Sequence, residues 1–127
     1  MNLQLNGKKA LVTGSTAGIG FAIARTLARE GASVVITGRT QNRVNGAVKT
    51  IQQEIGDAKV SGMVADLATA RGSAKCIEAL PSLHILVNNI GVYEPKPFDK
   101  ITDDDWHSII ETNFMSGVGY AGTTCRA

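Results

Sequence analysis

Eight consecutive residues carry the clearest chemistry in this chain: Thr13-Gly14-Ser15-Thr16-Ala17-Gly18-Ile19-Gly20. Ala10-Leu11-Val12 ahead of them reads as a short buried strand, and an apolar helical pattern starts directly behind. A strand, a glycine-rich turn and a helix in that order build a phosphate cradle. Gly14 takes a tight turn, Gly18 lets the backbone approach a pyrophosphate, and Gly20 lets helix and sheet pack closely. The free N–H groups and positive dipole end of the helix then face the negative charge. Glycines alone would fit an ordinary strand-to-helix turn; strand, spacing and helix together favour a nucleotide.

Other chemistries find little support. Cys76 and Cys125 have neither metal-ligand spacing nor the density of a disulfide framework, and no metal cluster is visible. His84 and His107 read as strand-edge and helix-surface residues. A net charge of +2 without a basic run argues against nucleic acid or a membrane surface. No apolar stretch reaches membrane-spanning length and Met1 to Gly7 is a short polar lead-in, so the cytoplasm is the expected location. With 127 residues, 43% of them hydrophobic and 19% charged, the composition is that of one ordinary globular domain.

The elements that must position the cradle follow from periodicity. Strands are expected at Lys8 to Thr13, Ser33 to Thr37, Lys59 to Ala65 and Leu83 to Asn88. Their apolar runs suit parallel strands covered on both faces. Helices are expected at Gly18 to Glu30, with Ile19, Ala22, Ile23 and Leu27 inward and Gly31 ending it, and at Gln41 to Ile55, with Val44, Val48, Ile51 and Ile55 inward. A third spans Ala70 to Leu80, with Ala74, Ile77 and Leu80 inward and Pro81 beyond. After a loop from Gly91 to Lys100, Thr102 should cap a fourth helix with Asp105 at N3 and Trp106, Ile109, Ile110, Asn113 and Phe114 inward. Alternating strands and helices give an α/β fold, a Rossmann-type doubly wound parallel sheet with strand order 3-2-1-4.

The spacing Thr-Gly-x-x-x-Gly-x-Gly resembles the short-chain dehydrogenase/reductase family. Further motifs follow in family order over residues 5 to 118. Asp66-Leu67 at the third strand's end matches the pair that holds the adenine; alone, Asp66 could simply begin a turn. Asn88-Asn89-Ile90-Gly91 resembles the family's Asn-Asn-Ala-Gly, with Ile90 as a departure. Asn113 matches the helix asparagine that holds a water in the proton relay, although an inward helix Asn is commonly a structural hydrogen-bonder. At the end of the second strand Gly38 stands where a carboxylate would bind the ribose hydroxyls, and Arg39 follows. Arg39 can pair with a 2′-phosphate or be a solvated turn residue; the expectation is NADP in preference to NAD. The resemblance thus implies a cofactor set of Gly14, Ser15, Thr16, Gly18, Ile19, Gly20, Arg39, Asp66, Leu67, Asn88 and Gly91, with Asn113 as the catalytic residue.

One departure bears on mechanism. The family's serine and Tyr-x-x-x-Lys pair, whose tyrosine is the general acid/base, do not occur in these 127 residues. Tyr93 and Lys96 are only three apart with Pro95 between them, and Tyr120 has no lysine after it. From Val118 to Ala127 the helical pattern collapses. Shifting the tail's degenerate codons by one base permits a helical run ending in Pro-Gly. The expectation is therefore a Rossmann domain at 1–117, incomplete, and a tail at 118–127 derived from a frameshift; a natural short protein with a C-terminal tail is the alternative. The implied function is an NAD(P)-dependent oxidoreductase interconverting carbonyl and alcohol, inactive as this chain. The other class is a non-catalytic NADP-binding or interaction module. Strand 83–88 and helix 103–117, left without partner surface, would drive self-association.

Overall fold

The computed structural model describes residues 2–67, 69–80, 82–91 and 94–115, of which Phe114 and Met115 are described as backbone only. Tyr93, Tyr120, Cys125 and the 118–127 tail lie outside the described residues.

Alternation produces the expected order: β1 (Lys9–Val12), α1 (Gly18–Arg29), β2 (Ser33–Gly38), α2 (Gln41–Glu54), β3 (Val60–Val64), α3 (Ala70–Ala79), β4 (Ile85–Val87) and α4 (Asp103–Ile109). A short 3₁₀ turn at Phe98–Lys100 precedes α4, and a wider π turn at Ile110–Met115 follows it. All strand pairs are parallel, in the order β3-β2-β1-β4, as the sequence predicts. β1 lies between β2 and β4, with Leu11 opposite both Val35 and Leu86.

Because side chains alternate along a strand, β1 and β2 feed two cores. Ala10, Val12, Val34 and Ile36 join Ala24, Ala28, Ala47 and Ile51 under α1 and α2. Leu11 joins Ala65, Leu67 and Cys76 on the opposite face, with Met63 and Leu86 against them. Three helices start on a threonine whose hydroxyl accepts a first-turn N–H: Thr40 for α2, Thr69 for α3 and Thr102 for α4. In α4 the Asp105 carboxylate completes the expected capping box. At the far end of α1, Gly31 has φ +97°, the left-handed value that ends a helix without a Cβ penalty.

Three helix faces differ from expectation. In α1 the buried residues are Gly20, Ala24 and Ala28, flanked by Phe21, Ile23 and Leu27, whereas Ile19 is 75% exposed and Ala22 is exposed. Small residues let α1 sit close to the sheet, which turns Ile19 and Ala22 away from the contact. In α3 Gly72, Ser73 and Cys76 are buried and Ala74 faces solvent; a Cβ on Gly72 would meet the Asp66 carbonyl, so close backbone approach sets this face. In α4 Trp106 remains 48% exposed, and in the π turn behind it Ile110 is 45% exposed and Asn113 is exposed. Among the described residues the principal partner of α4 is the turn that follows it.

Lys96 ties the β4–α4 loop to α4: its Nζ donates to Asp105 Oδ1 at 2.8 Å and pairs with Glu94 at 3.5 Å. Asp105 also accepts the Thr102 N–H at 2.9 Å. The Lys96 bond, with the Thr102 bonds behind it, holds the Asp105 carboxyl at about 2, below its ordinary 3.8.

Replacing fully buried Ile51 by Ala should destabilise the fold by about 2–5 kcal/mol. Ile19→Ala should stay within about 0.5 kcal/mol, which denaturant titration of both variants reads directly. A carboxyl whose folded pKa is depressed contributes stability that is full above its unfolded pKa and is lost as pH falls through the folded one. The Asp105 contribution is therefore complete above 3.8 and disappears toward pH 2. Asp105→Asn should flatten the stability curve in that window, and an unchanged acid limb in denaturation would refute the assignment.

Candidate functional site

Three buried hydroxyls fix the strand ends from which the site is built. Thr13, Ser15 and Thr37 are 2%, 0% and 1% exposed. Ser15 Oγ donates to the Val12 carbonyl at 2.7 Å and accepts the Thr37 N–H at 3.0 Å. Thr37 Oγ1 donates to the same Val12 carbonyl and accepts the Gly14 N–H, both at 3.2 Å. Thr13 Oγ1 accepts from the N–H groups of Asn89 at 2.8 Å and Ile90 at 3.1 Å. The Asn89 amide then donates to the carbonyls of Thr13 and Gly14 at 3.3 and 3.2 Å. β1, β2 and the chain leaving β4 are thereby locked around the glycine turn. Gly14 lies at φ +61°, and a Cβ on Gly20 would meet the Gly14 carbonyl, so both glycines have a geometric reason.

A cleft of about 870 Å³ opens over these C-terminal strand ends. Gly14, Thr16, Arg39, Asp66, Leu67 and Gly91 all line it, so motifs far apart in sequence converge. Other expected residues stand elsewhere. Ser15 is turned inward, its side chain and its N–H both engaged, the N–H with the Thr37 carbonyl at 3.1 Å. Gly20 is buried beneath the turn. Gly18 and Ile19 are exposed and outside the cleft lining, as is Asn88; Asn89 and Ile90 line the cleft instead. Asn113 stands against Gly91, its Oδ1 3.3 Å from where a Gly91 Cβ would lie.

α1 differs from the other helices at its start: Ala17, its N-cap residue, offers no side-chain bond, and it lines the cleft. Among the described residues no side-chain cap takes the opening N–H groups of that helix. Thr37, Thr40, Arg43, Ser108 and Thr112 also line the cleft and escaped the sequence reading. Arg43 follows Arg39 by four residues, a spacing that was there to find. Thr37 looks like any β-branched strand residue.

The remaining candidates take structural roles. The His84 Nδ1 accepts the Lys9 N–H at 2.9 Å, stapling β4 to β1. Cys76 is fully buried, its thiol donating to Met63 Sδ at 3.1 Å, and burial pushes that thiol up while Lys75 opposes the shift. Among the described residues there is no metal-ligating cluster and no helix long and apolar enough to cross a membrane.

Comparison with known proteins points the same way. The short chain dehydrogenase family matches residues 8–126. The chain is 46% identical over 118 residues to the uncharacterised oxidoreductase YvaG of Bacillus subtilis, covering 93% of this chain and 45% of that protein. It is 37% identical over 117 residues to the 3-oxoacyl-[acyl-carrier-protein] reductase FabG of Aquifex aeolicus, covering 89% and 47%. The chain thus spans about half the length of the curated relatives it matches. L-sorbose reductase of Gluconobacter frateurii, solved with NADPH and L-sorbose, superposes with a TM-score of 0.89 at 31% identity, covering 98% of this chain and 48% of that one. The glycine turn, the 3-2-1-4 sheet and these likenesses agree: the chain belongs to the short chain dehydrogenase family.

Proposed function

We propose that this chain forms a nicotinamide dinucleotide site and binds NADP in preference to NAD, as the cofactor-holding part of an oxidoreductase that interconverts a carbonyl and an alcohol. Bound there, the dinucleotide would supply or accept the hydride. The cleft suits such a ligand: a glycine turn and open helix start for the pyrophosphate, Asp66 and Leu67 for the adenine, Gly91 and Asn113 toward the nicotinamide end. The solved relative with NADPH supports the cofactor class. Ser15 and Gly20 shape the turn, Gly18 and Ile19 flank it, and Asn88 sits on the sheet rim.

One observation carries the NADP preference. Gly38 and Arg39 stand on the cleft wall where a carboxylate would serve NAD. A Cβ on Gly38 would come within 2.5 Å of Thr16 Cγ2 and 3.1 Å of Val44 Cγ2, so no acidic side chain fits there without displacing Thr16. Arg39 lines the same cleft, and its charge matches that of a phosphate.

Within the 127 residues Asn113 is the one member of the family's catalytic set, so we propose a domain at 1–117 that binds without turning over. The cytoplasm is the proposed location. Among the described residues β4 lies at an edge of the sheet with Ile85, Leu86 and Val87 only half-buried, and Phe98, Trp106 and Ile110 are exposed nearby in sequence. Self-association through β4 or α4 is the proposed consequence.

Titration should show tighter binding of NADP than of NAD, and Arg39→Ala should weaken NADP alone by about 1.5–3 kcal/mol. Equal affinities in the unsubstituted chain would refute the Arg39 assignment. NADPH mixed with carbonyl substrates should show no oxidation by the 127-residue polypeptide; turnover would reveal a catalytic acid outside the set named here. Light scattering should find dimers or larger species, and hydrogen exchange should show the edge-facing amide of Leu86 protected only when they form. A monodisperse monomer with that amide protected would overturn self-association.

A further inference from the structure

Thr37 carries a hydroxyl where the fold asks for none. Strand alternation puts its side chain on the face of β2 away from Val34 and Ile36, in register with Met63, and the residue is 1% exposed. A valine of the same shape would fill that place without burying a polar group. The polar groups of Thr37 are instead all engaged with β1 and the glycine turn. Its N–H donates to Ser15 Oγ at 3.0 Å, and its carbonyl accepts the Ser15 N–H at 3.1 Å. Its Oγ1 donates to the Val12 carbonyl and accepts the Gly14 N–H, both at 3.2 Å. Gly38 and Arg39, which line the cleft, come directly after it. One residue thus joins the glycine turn to the wall beside it. So deeply buried, it offers a ligand almost no surface and acts through its neighbours.

We infer that Thr37 is a positioning residue of this site: its hydroxyl sets the glycine turn in ligand-ready shape, in fixed register with the Gly38–Arg39 wall, before any ligand arrives. The inference rests on the dinucleotide reading above and concerns a residue that the ligand need not touch. The Gly14 N–H is committed to Thr37, and Gly14 is held at φ +61°, where the chain turns toward α1. The N–H groups that a pyrophosphate would use come later, in the turn and the first turn of the helix. Without the hydroxyl, the Gly14 N–H has no partner, and the glycine-rich backbone regains a freedom that a ligand must remove on binding. That cost falls on every ligand with a pyrophosphate, with or without a 2′-phosphate. It does not fall on a ligand that reaches only the wall. Thr37 therefore sets affinity for dinucleotides in general, and the choice between them lies elsewhere.

The test titrates the unsubstituted chain, Thr37→Val and Thr37→Ser with NAD, NADP, ADP and 2′-AMP, the last having no 5′-phosphate. Thr37→Val should weaken NAD, NADP and ADP about tenfold each and leave 2′-AMP within about twofold. Thr37→Ser keeps the oxygen and should stay within about threefold of the unsubstituted chain for all four. Thr37→Cys, whose sulfur is a weak acceptor, replaces Thr37→Val should that variant fail to fold, and should weaken the same three ligands. Hydrogen exchange supplies a readout that needs no binding: the Gly14 amide should be protected in the ligand-free chain and in Thr37→Ser, and unprotected in Thr37→Val. Undiminished dinucleotide affinity without the hydroxyl, equal weakening of all four ligands, or a freely exchanging Gly14 amide in the unsubstituted chain would each overturn the inference and leave the site reading intact. Failure of the unsubstituted chain to bind any of the four would instead overturn the site reading, and this inference with it.

Discussion

Three buried hydroxyls hold the site-forming end of this molecule together. Thr13, Ser15 and Thr37 are nearly solvent-free, and each bonds to backbone on a neighbouring strand or turn. A buried donor or acceptor left without a partner costs about 1–3 kcal/mol. Shifting β2 against β1 by one residue would strand several of these groups at once. The hydroxyl lattice therefore sets strand register where the sheet ends, and the glycine turn inherits its shape from that register. The apolar pairs farther down, such as Leu11 between Val35 and Leu86, tolerate more slack because their attraction is non-directional.

A second constraint comes from close approach. Gly20, Gly38, Gly62 and Gly72 each sit where a Cβ would press on a neighbour: the Gly14 carbonyl, Thr16, Val44 and the Asp66 carbonyl. These contacts bring α1, α2 and α3 tight against the strand ends. The cleft is the space those close contacts leave open, and its walls are consequently backbone-rich. Polar residues line it from several elements: Arg39 after β2, Arg43 from α2, Asp66 after β3 and Ser108 from α4.

Much of this was legible in the residues themselves. Strand and helix order follows from periodicity, and the 3-2-1-4 topology follows from right-handed crossovers. Thr102 and Asp105 announce their capping box because it is written within four residues. The face of α1 was not legible. Ile19 looks like a core residue until one knows that Gly20, Ala24 and Ala28 bring the helix so near the sheet that their own side is the contact. Ser15 reads as a ligand contact by its place in the motif, yet its hydroxyl is consumed between two strands, a fact that depends on β2 arriving beside it. Arg43 escaped for a related reason: a helix arginine looks solvated until tertiary structure puts a cleft in front of it. Local signals were readable, and those created by a distant element were not.

The start of α1 has a thermodynamic consequence. α2, α3 and α4 carry a threonine that finishes their first turn, while α1 begins on Ala17 and has none. Under the proposed function, an anion seated there would supply the missing cap. Helix completion and ligand occupancy then form one linked equilibrium, in which the folded state gains whatever binding free energy the solution supplies. At a ligand concentration one hundred times Kd, mass action adds about 2.7 kcal/mol to the stability of the folded chain, a large share of what a small domain possesses. On the proposed dinucleotide reading, how firmly this protein is folded would track how much of that ligand is present.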